Sequence, residues 1–204
     1  MMKITKYIWF WILFATLPLH LVSAQKVEKS STKIAVIFNT LCAKCHEGEC
    51  SGRLSFDTES KMASSHIRRY AGDINLSKSD TEEFFSLLNY MKKECELWMP
   101  DTGEWTSESL SHFALPSAKG YFIPLGILRE GKYHVEIKIK DDIYHFKVEV
   151  LSDHFKHFLD KWACSDGKNE TIQFTIDKSV NTFLRIQSEK PLQIISLKIC
   201  RSLI

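Results

Sequence analysis

The sequence predicts an α+β chain in two parts, an all-α N-terminal portion over 26–112 followed by a small antiparallel β-sandwich over 116–204. Three observations carry that expectation. Apolar residues recur at helical spacing before Leu115-Pro116, and apolar and polar residues alternate after it. A C-x-x-C-H run, Cys42-Ala43-Lys44-Cys45-His46, closes the first helical stretch.

Residues 1–24 read as a secretory signal peptide. Lys3 and Lys6 make a positive start, Ile8 to Val22 is a dense apolar run, and Val22-Ser23-Ala24 is a small-residue cleavage site that puts Gln25 first in the mature chain. The alternative for this segment is a retained anchor, which would associate the protein with a membrane. The remaining chain suffices for one or two small domains. A net charge of +2 and 44% hydrophobic residues leave no basic footprint, so nucleic acid is excluded as a partner.

Three helices are expected in the first part. Ile34, Ile37, Phe38 and Leu41 share one face of a helix over Ser31 to Leu41. The second runs from Glu59 to Tyr70, capped by Asp57 or Thr58. The third opens on a capping box at Ser79-Asp80-Thr81-Glu82 and continues through the apolar stripe Phe84, Leu87, Leu88, Met91 and Cys95. Ser107 to Phe113 is a candidate short helix.

In the second part, His134 to Lys140 and Ile143 to Leu151 alternate about Asp141-Asp142 and read as a hairpin. Further strands are expected at Tyr121 to Leu128, Thr171 to Ile176, Thr182 to Ile186 and Leu192 to Cys200. Asp153 to Trp162 interrupts them, with Phe155, Phe158, Leu159 and Trp162 at helical spacing.

The C-x-x-C-H spacing has a chemical reason. Two intervening residues let one turn present both thiols to the vinyl groups on one edge of a porphyrin, and the next residue supplies an imidazole to the iron. The run resembles the haem-attachment signature of the c-type cytochromes, and the flanking helices resemble a small class I haem domain over about 85 residues. The resemblance implies one covalent haem c on Cys42 and Cys45, with His46 as proximal iron ligand. An exported location, the bacterial periplasm in particular, agrees with it. C-x-x-C also serves zinc sites and redox dithiols, but a dithiol motif is expected after a strand, and this one follows a helix.

The class I pattern has a methionine in the loop before the closing helix, and here Gly72 to Lys78 contains neither Met nor His. Candidates for the sixth ligand are therefore His66, Met99 beside Pro100, and Met62 one turn before His66, with an open site as the remaining option. Arg53, Arg68 and Arg69 are candidates to pair with haem propionates. Four further cysteines remain, and the simplest pairing is Cys50 with Cys95 and Cys164 with Cys200. His154 and His157 lie three apart, without a third metal ligand at a convincing spacing.

The expected function is that of an exported monohaem c-type cytochrome in electron transfer, either a carrier or the electron-transfer subunit of a periplasmic oxidoreductase, with a redox protein as partner. The alternative is a haem-based sensor or binding module whose β part recognises a partner or glycan. No phosphate loop, serine nucleophile or distal base-and-arginine set points to catalysis.

Overall fold

The computed structural model describes residues 30–46, 60–98, 106–140, 145–164 and 169–202. Among these, eight strands form two antiparallel sheets. They are β1 (Ala114–Leu115), β2 (Gly120–Leu128), β3 (Gly131–Ile139), β4 (Phe146–Ser152), β5 (His157–Ala163), β6 (Asn169–Ile176), β7 (Val180–Ser188) and β8 (Ile194–Arg201). One sheet has the order β1-β2-β7-β4-β5, the other β6-β3-β8. Before the strands come α1 (Thr32–Ile37), a π-helical turn (Phe38–Cys42), α2 (Ala43–His46), α3 (Ser60–Tyr70), α4 (Lys78–Glu94) and α5 (Ser107–His112).

Strand register sorts the side chains into layers, because paired residues share a face. In the five-stranded sheet, Ile123 pairs with Leu184, and Ile186 and Leu184 pair with Val148 and Val150. These residues are buried together with Tyr133, Val135, Ile137, Ile172, Phe174 and Leu197 of the three-stranded sheet. The Tyr121 hydroxyl ties the layers, accepting from Ile194 N–H at 3.1 Å and donating to Leu192 O at 3.3 Å. The opposite face carries Phe122, Phe183, Arg185, Glu149 and Leu151, which are also buried, because the helices cover it. The order of layers is therefore helices, five-stranded sheet, three-stranded sheet, and one apolar cluster runs through all three. In the outer sheet β3 and β6 alternate between buried and more exposed residues, whereas β7 is buried on both faces.

This architecture corrects the expected fold class. The protein is mostly β, and its helical part is small, with α4 at 17 residues the longest helix described; it is not an all-α haem domain. The reason lies in the helical apolar stripes. Ile34, Val36, Ile37 and Phe38 join the same core as the strands, so the helices cover a sheet rather than enclosing a core of their own.

The expected strands lie within or overlap β2, β3, β4, β6, β7 and β8. The expected hairpin does not form: β3 pairs with β6 and β8, and β4 with β5 and β7, so the connection crosses between sheets. The helical spacing at Phe155 to Trp162 misleads too. His157–Ala163 is strand β5, at the edge of its sheet, and alternation is blurred there because Trp162 is partly exposed. The capping box of α4 sits two residues earlier than expected. Ser77 accepts from Asp80 N–H at 3.0 Å, and Asp80 accepts from Ser77 N–H at 2.9 Å. Lys33 of α1 adds a charged hydrogen bond to Asp80 at 2.8 Å, and this holds the Asp80 carboxyl below its ordinary range.

Candidate functional site

The C-x-x-C-H motif sits where α1 widens into a π turn. Ala43 N–H reaches back five residues to Phe38 O, so the turn takes in one residue more than an α-helix would. Local side chains support this local conformation. Asn39 Nδ2 donates to Ala35 O at 2.8 Å, and the Thr40 hydroxyl donates to Val36 O. Strand β7 then captures the carbonyls that the turn exposes: Gln187 Nε2 donates to Thr40 O at 2.8 Å and Arg185 Nη1 to Asn39 O at 3.5 Å.

Gly120 permits the approach. A Cβ there would lie 2.7 Å from Thr40 Cγ2 and 2.9 Å from Ile186 O, so only glycine lets the turn sit this close to β2 and β7. The cysteines and histidine of the motif thus stand on a short helix braced from beneath by a sheet.

Within the motif, Cys42 ends the π turn half-buried, Cys45 is exposed one turn later on α2, and His46 follows it half-buried. Neither thiol is in a disulfide. Burial, and next the neighbouring Cys45, push the Cys42 thiol up to about 12, which favours its protonated form.

Helix α3 brings His66 to the motif. The rings of His46 and His66 meet edge to face, with centroids 6.1 Å apart and an interplanar angle of 68°. His46 and His66 are thus close enough that one metal ion could be held between them if both rings turned a nitrogen toward it, and Cys42 and Cys45 lie on the same short segment as His46. Tyr70, a turn beyond His66, packs its ring on it at 4.6 Å. Ala63 and Ile67 anchor the inner face of α3 in the core.

The other expected residues fare differently. Met62 is 68% exposed on α3. Arg68 and Arg69 are exposed in the last turn of α3. Met99, Arg53 and Cys50 lie outside the described residues, as do the leader segment and the caps Asp57 and Thr58. Among the described residues no helix is long and apolar enough to cross a membrane.

Cys95 is disulfide-bonded, and its expected partner Cys50 lies outside the described residues. The expected Cys164–Cys200 bridge does not form, since both are free thiols. They stand near the ends of β5 and β8, which belong to different sheets. His154 and His157 also separate, into the β4–β5 turn and strand β5.

A buried ion network beneath the motif went unread in the sequence. Arg185 Nε and Nη2 donate to Glu149 at 2.6 and 2.7 Å, and Lys147 Nζ donates to Glu149 at 2.7 Å and to Asp160 at 3.2 Å. Burial alone would raise the Glu149 carboxyl, but its hydrogen bonds from Arg185 and Lys147 outweigh that and hold it low. For Lys147 burial pulls down, and the two carboxylates more than restore it. The network floors a cleft of about 540 Å³ that opens beside Thr40 and Leu41. The available signal was a lone charge inside an apolar strand, Glu149 between Val148 and Val150 and Arg185 between Leu184 and Ile186. Opposite charges so placed are expected to find each other.

Compared with protein-family profiles, curated proteins and solved structures, the chain matches none.

Proposed function

We propose that this protein is an exported monohaem c-type electron-transfer protein, with Cys42 and Cys45 forming the two thioethers, His46 the proximal ligand and His66 the sixth ligand. The observation that supports the reading is the C-x-x-C-H motif with a second imidazole, His66, brought beside His46 at 6.1 Å between ring centres. A bound haem supplies reversible one-electron iron chemistry.

The chain's residues would do the rest. With both His46 and His66 holding the iron, no position would be left for substrate, which would favour electron transfer over catalysis. The π turn, held by Gln187 and Arg185, would fix the segment that carries the cysteines on a braced base. Exposed Cys45 and α3 place the motif at the protein surface, where a redox partner protein can approach.

The optical spectrum of the exported protein tests the assignment. A low-spin spectrum in both oxidation states, unchanged by carbon monoxide, is expected, and His66→Ala should convert it to a high-spin form that binds carbon monoxide. A wild-type spectrum that is already high-spin, or a silent His66→Ala, would contradict the bis-histidine site.

A further inference from the structure

A second set of ligating side chains converges where the end of α4 meets the turn between β4 and β5. Cys95 caps α4 in the left-handed conformation at φ 54°, and the chain then runs against the turn, with Leu97 N–H donating to Asp153 O at 2.6 Å. Asp153 is fixed from the other side as well. Its N–H donates to Asn181 O at 3.1 Å, and Asn181 Nδ2 donates to Asp153 Oδ2 at 3.0 Å.

Asp153 is only 5% exposed, and its second carboxylate oxygen, Oδ1, has no hydrogen-bond partner among the described residues. A buried carboxylate oxygen is costly without a donor or counter-ion. What it faces is Glu96 and His154, and one ligand atom from each of the three residues lies within 4.8 Å of the others.

Each of the three also carries an outer hydrogen bond that orients it. The Tyr90 hydroxyl donates to Glu96 Oε2 at 3.4 Å, Asn181 donates to Asp153 Oδ2, and His154 Nδ1 stands 3.4 Å from the Cys95 carbonyl oxygen. With its proton on Nδ1, His154 presents the lone pair of Nε2, which lies 3.9 Å from Asp153 Oδ1. A ring nitrogen donating to a backbone carbonyl while the other faces the metal is the usual outer arrangement of a metal-bound histidine. The surroundings are negative. The Tyr90 hydroxyl is raised first by burial and then by Glu96, Glu94 and Asp153.

We propose that Glu96, Asp153 and His154 bind one divalent metal ion of the manganese–zinc class, through two carboxylates and one imidazole, with solvent completing the shell. The ion would pin the end of α4 to the β4–β5 turn and so fasten the helical layer to the five-stranded sheet. The site shares no residue with the C-x-x-C-H motif and does not depend on the haem reading.

The test is Mn²⁺ titration of the full exported chain after chelator treatment, read by loss of the free aqua-ion signal in electron paramagnetic resonance. Mn²⁺ disfavours thiolates, so Cys42, Cys45, Cys164 and Cys200 do not compete. One equivalent should be bound, Zn²⁺ should displace it, and either ion should raise the melting temperature. His154→Ala, at an exposed position that leaves the core intact, and Glu96→Gln should each weaken binding at least tenfold, and Asp153→Asn should abolish it. An unchanged free-ion signal together with no Zn²⁺-dependent rise in melting temperature would overturn the proposal. Binding by His154→Ala as tight as wild type would overturn it equally.

Discussion

Arg185 and Glu149 face each other across β7 and β4, and the guanidinium of one donates two parallel hydrogen bonds to the carboxylate of the other, at 2.6 and 2.7 Å. Each is only 2% exposed, in a layer between the sheet and the helix that carries the C-x-x-C-H motif. The same Arg185 side chain reaches Asn39 O in the π turn, so one buried ion pair links strand pairing to the conformation of the motif.

Removing Arg185 leaves the buried Glu149 carboxylate with Lys147 as its close cationic donor and without its two guanidinium hydrogen bonds, and removing the Glu149 charge leaves the guanidinium buried without its carboxylate. Arg185→Met should cost about 3–5 kcal/mol in urea unfolding, and Glu149→Gln should also be costly. The double change Arg185→Met with Glu149→Leu should recover much of the loss, since replacing a buried pair by apolar residues of similar volume is close to neutral. A double variant as unstable as Arg185→Met alone would show that contact with the π turn, rather than the pair, carries the effect.

The same pair sets an acid limit. Glu149 is held below its unfolded value, so its contribution is fully present above the unfolded carboxylate range and is lost as pH falls through the folded value. Urea midpoints of wild type should therefore drop in the acid range more steeply than those of the apolar double variant. Parallel profiles would contradict the assignment.

Seating of the π turn is testable from the sheet side. Gly120→Ala would press a methyl group against Thr40 and the Ile186 carbonyl, and should cost about 1–3 kcal/mol. Gln187→Ala removes the donor to Thr40 O and should cost about 1 kcal/mol. Thermal unfolding of both variants checks this. A neutral Gly120→Ala would mean the turn sits further from β2 than described.

Much of the fold is legible in the sequence because the strands of the outer sheet are half-buried. Val135, Ile137 and Ile139 alternate with polar residues, and β3 could be read directly. Legibility fails where burial is two-sided or tertiary contact decides. Helical stripes at Ile34 to Phe38 tell which residues are inside but not that a sheet lies opposite. The swap of β3 and β4 into different sheets leaves no local trace, because alternation is identical whichever neighbour a strand pairs with. At the site, the C-x-x-C-H run is visible as a motif, and His66 could be placed on a helix face. Its position across from His46 depends on how α3 packs, which Ala63 and Ile67 set through the core.

Thiol chemistry separates the two cysteines of the motif in the bare polypeptide. With Cys42 pushed up to about 12, chiefly by burial, little of it is thiolate at pH 8, whereas Cys45 is exposed. Brief treatment of the haem-free chain with iodoacetamide should modify Cys45 well ahead of Cys42 in peptide mapping. Equal labelling would contradict the burial of Cys42.

Non-reducing peptide maps should show Cys164 and Cys200 as free thiols and Cys95 in a disulfide, with the peptide carrying Cys50 as its expected partner. A Cys164–Cys200 peptide would require β5 and β8 to approach across two sheets and would contradict the described topology.

The central claim is covalent haem on Cys42 and Cys45, and the intact mass of the exported protein under denaturing conditions tests it most directly. Thioether bonds survive unfolding, so the account predicts the mass of the mature chain plus one haem, lost on Cys42→Ser/Cys45→Ser. The mass of the bare polypeptide, with any colour released by acid–acetone, would contradict it.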